Sequence, residues 1–173
     1  KTGSIRQALQ ALIEQAGLWA AGYGVALVLM PGPDICGMYQ PEPFEHVVLN
    51  LLTNAVRHSP QGDGHVQIEL WQEERNARTV CMVRVLDNGP GIAPEMQAHL
   101  FEKYRAGLGL YLSMGLARKM GGSLCAQNVS GAGAAFTFSF PIQTAKKAAL
   151  ASEAGPYRAQ ELAQRVAVEF SAL

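Results

Sequence analysis

Positions 50, 54, 57 and 58 read Asn, Asn, Arg and His. On a helix they fall at i, i+4, i+7 and i+8, along one stripe. Asparagine is a mediocre helix former, so two of them a turn apart call for a reason. Either both amides face solvent or satisfy nearby backbone groups, or an amide oxygen ligates a hard cation. Mg²⁺ is such an ion: it takes oxygen ligands and keeps phosphates and water in its shell. In that case Arg57 and His58, one turn on, supply donors to the phosphates.

Two glycine loops follow this stripe. Asp87-x-Gly89-x-Gly91 comes just after an expected strand. Glycine lets backbone approach a flat ligand closely, and an adjacent Asp can accept from the exocyclic amine of a base; the same pattern is also a common turn. Gly107-Leu-Gly109-Leu110 feeds a helix, whose free N–H groups and positive dipole end favour phosphate. Neither a Walker lysine pattern nor a GxGxxG between parallel strands is present, so P-loop and Rossmann chemistry do not fit. Each loop alone is a weak signal.

The elements that must hold these residues follow from periodicity. Ile5, Leu9, Leu12, Ile13 and Ala16 predict a first amphipathic helix, broken at Gly22 and Gly24 and followed by a strand over 25–30. Pro31 to Asp34 reads as a turn. A second helix begins near Pro41 or Pro43 and runs to about His58, with Phe44, Val47, Val48, Leu51, Leu52, Ala55 and Val56 as its apolar face. Val66, Ile68 and Leu70 alternate on one strand, and 80–86 is its partner. Pro94 opens a short helix to Leu100. Another spans about 109–120, with Leu108, Leu112, Leu116 and Met120 on one face, stopped by Gly121-Gly122. A strand over 123–128, a Gly131-Ala-Gly133 turn and a strand bearing Phe136, Phe138 and Phe140 complete the body. Past Pro141 the composition shifts to Ala, Lys and Glu, and Leu162, Val166, Phe170 and Leu173 predict a final helix as an appendage. This mixture predicts an α+β sandwich with helices on one face of a mixed sheet.

Composition narrows the partners. With 173 residues the chain can bury one core without staples. Fourteen Lys and Arg balance fourteen Asp and Glu, without a basic block, which argues against nucleic acid. Cys36, Cys81 and Cys125 form no CxxC and read as small buried apolar residues in a reducing compartment. The apolar run over 16–30 is broken by three glycines and is short of a membrane span, and no signal peptide is evident. The expected location is the cytoplasm, with any membrane attachment through other parts of a full-length protein.

The elements in their order resemble the ATP-binding catalytic domain of two-component sensor histidine kinases, within the GHKL superfamily. Asn50 to His58 is similar to the family's N box, Asp87 to Ile92 to its G1 box, Leu100-Phe101-Glu102 to its F box, and Gly107 to Leu110 to its G2 box. The resemblance covers about residues 1–142, leaving 143–173 as a C-terminal extension or linker. It implies a Bergerat-type two-layer sandwich with ATP between the second helix and the glycine loops. By this resemblance Asp87 reads the adenine amine and Asn54 holds Mg²⁺. Asn50, Arg57 and His58 line the phosphate side as catalytic candidates. Gly89, Gly91, Ile92, Phe101, Gly107, Leu108, Gly109 and Leu110 complete the nucleotide-binding set.

Relatives that hydrolyse ATP, such as type II topoisomerases, resemble one another in carrying Glu where Asn50 stands. A carboxylate activates water as a general base; an amide does not. Transfer to an external acceptor therefore fits better than hydrolysis. The chain departs from the family in one place: only Glu102 to Ala106 stands between Phe101 and Gly107, where a longer mobile ATP lid is usual. That shortness leaves a degenerate nucleotide-binding or interaction module as the alternative. None of the four histidines sits in a motif resembling the family's acceptor box. The expected partners are a dimerisation domain bearing the acceptor histidine and a response regulator downstream.

Overall fold

Ser4 starts the first helix, α1 (Ile5–Gly22), as its N-cap: its Oγ accepts from Gln7 N at 3.0 Å and donates to Asp34 Oδ2 at 2.6 Å. In this computed structural model, which describes residues 1–103, 108–144, 156–171 and 173, α1 buries Ile5, Leu9, Leu12, Ile13, Ala16 and Ala20. Gly24, at φ +68°, turns the chain out of it.

The second helix, α2 (Pro41–His58), has the bounds its prolines and Ser59-Pro60 suggest. Ser59 closes it by donating from Oγ to the Ala55 carbonyl at 2.7 Å. Its apolar face lies on a five-stranded sheet ordered β2-β4-β5-β7-β6, made of β2 (Val25–Leu29), β4 (Gly64–Arg75), β5 (Arg78–Leu86), β6 (Ser123–Asn128) and β7 (Ala134–Pro141). Only β2 and β4 pair in parallel; every other neighbour is antiparallel. Inward Val66, Ile68 and Leu70 meet Val83, Val85, Phe136, Phe138 and Phe140 in one core. There Phe44 packs edge-on to Phe140 at 5.7 Å and is fully buried. Such burial is worth roughly 2–3 kcal/mol for a side chain of this size. The expected α+β sandwich of a mixed sheet with helices is the fold observed.

Several expectations need correction. Three short strands, β1 (Thr2–Ser4), β3 (Cys36–Met38) and β8 (Gln143–Thr144), form a small second sheet that periodicity did not predict. The helix after Pro94, α3 (Pro94–Gln97), stops after one turn, and hydrogen-bonded turns carry the chain on to Leu100. Of the stripe expected on α4 (Leu108–Lys119), Leu108 and Leu112 are 47% and 49% exposed, whereas Leu116 packs against the core and Met120 just past the helix is buried. The residues the helix itself buries are Leu110, Ser113, Met114 and Ala117, because that face meets α2. Of the cysteines only Cys81 is buried; Cys36 is partly covered and Cys125 is exposed on the sheet.

The last helix, α5 (Pro156–Ser171), is not the appendage expected but packs on α1 and α2, since its apolar face needs their cover. Leu162, Val166 and Phe170 are buried in the common core, and Phe170 stacks on Trp19 at 6.3 Å. Arg165 clasps α2, reaching Glu45 at 2.8 Å and Glu42 at 3.2 Å. Among the described residues no helix is long and apolar enough to cross a membrane.

Candidate functional site

The end of β5 delivers Asp87 to the floor of the site, where it is 2% exposed. Its Oδ1 accepts from Gly89 N at 2.9 Å and from Ala134 N at 3.2 Å. Its Oδ2 makes no hydrogen bond with the described residues. That oxygen is not sealed from solvent, so it stands open to a donor entering the site. The close approach depends on glycine: a Cβ on Gly133 would strike the Asp87 carboxylate, and one on Gly89 would strike the His58 carbonyl. The glycine loop thus sits directly on the C-terminal end of α2.

Two asparagines brace this loop. Asn88 accepts from His65 N at 2.8 Å and donates to the Asp63 carbonyl at 3.0 Å, tying the loop to the start of β4. Asn128, on the last residue of β6, pairs with the Ile92 backbone. Gly91 takes φ +83°, with its absent side chain facing the Asn128 amide.

The polar stripe of α2 divides by environment. Asn54 is 8% exposed and forms no hydrogen bond with the described residues, although neither of its amide atoms is sealed from solvent. Asn50, one turn earlier, contacts Gly109 and Ser113 on α4, so the expected second-helix and glycine-loop residues do meet. Arg57 and His58 lie exposed at the helix end. Phe101 is partly buried and packs edge-on to Phe136 at 6.5 Å, holding the segment before α4 against the sheet. Ile92 rests on the core and Leu110 is buried within it, while Leu108 is exposed at the start of α4. Gly107 and residues 104–106, where the lid was expected, lie outside the described residues. Lys103, just before them, sits 5.9 Å above the Tyr111 ring of α4.

Asn88, Asn128, Gly133 and Ser113 were not among the residues read as functional. The Gly131-Ala-Gly133 turn was visible in sequence, but only as a turn. What Gly133 makes room for is a carboxylate 46 positions earlier, which spacing does not reveal.

Residues 39–144 match the family described as histidine kinase-, DNA gyrase B- and HSP90-like ATPase. The chain belongs to this family. It carries the family's ATP-binding domain of the histidine kinase type, as its relatives indicate. It is 36% identical over 108 residues to the sensor histidine kinase RppB of Synechocystis, covering 56% of this chain and 23% of that protein. It is 29% identical over 119 residues to the sensor protein EvgS of Escherichia coli K12, covering 63% of this chain and 10% of that one. The chain thus spans between a tenth and a quarter of the length of these relatives. Among solved structures, full-length ShkA in complex with AMPPNP superposes with TM-score 0.68 at 28% identity, over 82% of this chain and 30% of that one. The mycobacterial sensor histidine kinase MprB shares the fold, with TM-score 0.70 at 21% identity over 84% of this chain and all of that one.

Proposed function

We propose that this domain binds Mg-ATP between α2 and the glycine loops and passes the γ-phosphate to a histidine. That histidine would lie on a dimerisation domain outside residues 1–173, with a response regulator receiving the signal, in the cytoplasm. Residues 1–142 would carry the site and 143–173 an extension that braces it. The observation that carries the proposal is a pair of polar groups on largely buried residues with no partner among the described residues, both open to an incoming ligand: the Oδ2 of Asp87 and the amide of Asn54. Asp87 Oδ2 suits the exocyclic amine of adenine, a donor, and would reject the carbonyl that guanine presents there.

Asn54 fits Mg²⁺ because its amide oxygen is a hard ligand left without a protein donor. Among the described residues no group of three His, Cys, Asp or Glu gathers around a metal. That suits an ion that arrives with phosphates rather than one caged by protein. Mg²⁺, when bound, would supply neutralisation of phosphate charge. Arg57 and His58, at the end of α2 nearer the base, would add donors to the phosphates next to it, and the first turn of α4 its free N–H groups. Asn50, being an amide, takes no proton from water, which favours transfer over hydrolysis.

The test is transfer itself. With labelled ATP, Mg²⁺ and a kinase dimerisation domain bearing its acceptor histidine, the chain should place an acid-labile, base-stable label on that histidine. Steady phosphate release without such a label would contradict the proposal.

A further inference from the structure

The amide of Asn50 is oriented from across the site. Its Nδ2 donates to Ser113 Oγ at 2.7 Å and lies 3.5 Å from the Gly109 carbonyl oxygen. A carbonyl oxygen only accepts, so Gly109 decides that the NH₂ end turns toward α4. Ser113 has no exposed surface and sits in a stripe otherwise made of Leu110, Met114 and Ala117. A hydroxyl placed there costs stability unless it is partnered, and its partner is Asn50. An Ala or Val would serve packing alone without that cost.

We propose that Ser113 is a positioning residue for Asn50. It anchors the NH₂ end of the amide so that the oxygen end is presented beside the first turn of α4, where free N–H groups favour phosphate. The inference rests on the nucleotide site proposed above. The adenine end of that site is marked by Asp87 and by Gly89 over His58. Asn50 lies one turn further from that end than Asn54, about 6 Å along the helix. The phosphate most distant from the base would lie there, and since amide and phosphate oxygens both only accept, the Asn50 oxygen would meet it through its Mg²⁺; the contact makes that orientation depend on where α4 stands.

The full chain is titrated with Mg²⁺ and a non-hydrolysable ATP analogue, and separately with Mg-ADP. Ser113→Ala should weaken the ATP analogue about fivefold, the worth of one hydrogen bond, and ADP by less than about twofold. Asn50→Ala should give a similar selective loss, and the double variant no further loss, since both remove one interaction. Equal losses for both nucleotides, additive losses, or no change would overturn the role of Ser113. If the unmodified chain takes up neither nucleotide, the proposed site falls separately. The NMR signal of the Asn50 side-chain NH₂, assigned by its disappearance in Asn50→Ala, then decides: a shift in Ser113→Ala supports the contact, and an unmoved signal refutes it.

Discussion

The side-chain amide of Asn128 takes both polar groups of the Ile92 backbone, accepting from its N–H at 2.7 Å and donating to its carbonyl at 2.9 Å. One side chain thereby acts as a piece of neighbouring strand for a loop that has none. Each such bond contributes about 1 kcal/mol net. Asn128→Ala should release the Gly89–Ile92 loop and weaken nucleotide binding roughly tenfold, with little change in melting temperature because the pair is at the surface. Asn128→Asp keeps the acceptor and loses the donor, so its affinity should fall in between. Titration with an ATP analogue measures both.

Most of the frame was legible in sequence because it rests on local rules. Pro41 and Ser59-Pro60 bound α2, Gly121 at φ +81° ends α4, and the alternation of Val66, Ile68 and Leu70 identifies a half-buried strand. The failures have a common physical origin. The sequence of α4 is apolar nearly all round, so two stripes compete, and only the presence of α2 decides that Leu110 and Met114 face inward while Leu108 and Leu112 do not. The braces at Asn88, Asn128 and Ser113 depend on partners 23 to 63 positions away, which no spacing rule reaches. The three-residue strands are too short to show a period.

The β4–β5 hairpin turns on Asn76 and Ala77, at φ +50° and +60°. This tight turn tolerates Asn, but alanine pays a steric penalty in the left-handed region. Ala77→Gly should raise stability by about 0.5–1 kcal/mol, read as a higher midpoint in chemical denaturation. Nucleotide affinity should be unchanged.

The C-terminal helix carries structural weight. Phe170 is 1% exposed against Trp19 and the core, so Phe170→Ala should cost about 3–5 kcal/mol by removing packing and leaving a cavity. Arg165→Met keeps the apolar stem but leaves Glu45, 8% exposed, without this cation, and should cost less, about 1–2 kcal/mol. Urea unfolding of each variant distinguishes these magnitudes.

The three thiols should differ in reactivity. Burial pushes the Cys81 thiol well above its ordinary range, so it stays protonated and out of reach. Cys125 is exposed on the sheet. A thiol reagent at neutral pH should label Cys125 in the folded chain and Cys81 only in denaturant; rapid labelling of native Cys81 would show that β5 is not packed as described.

Calorimetric titration of the full chain with a non-hydrolysable ATP analogue in Mg²⁺, beside the Asp87→Asn variant, tests the nucleotide site most directly. An Asn at 87 can keep its bonds to Gly89 and Ala134 through its oxygen, but it points an NH₂ where the adenine amine must donate. The prediction is saturable binding by the unmodified chain, preference for adenine over guanine, and a loss of tenfold or more in the variant without loss of fold. Equal affinity of the two chains, or no binding by the unmodified one, would contradict it.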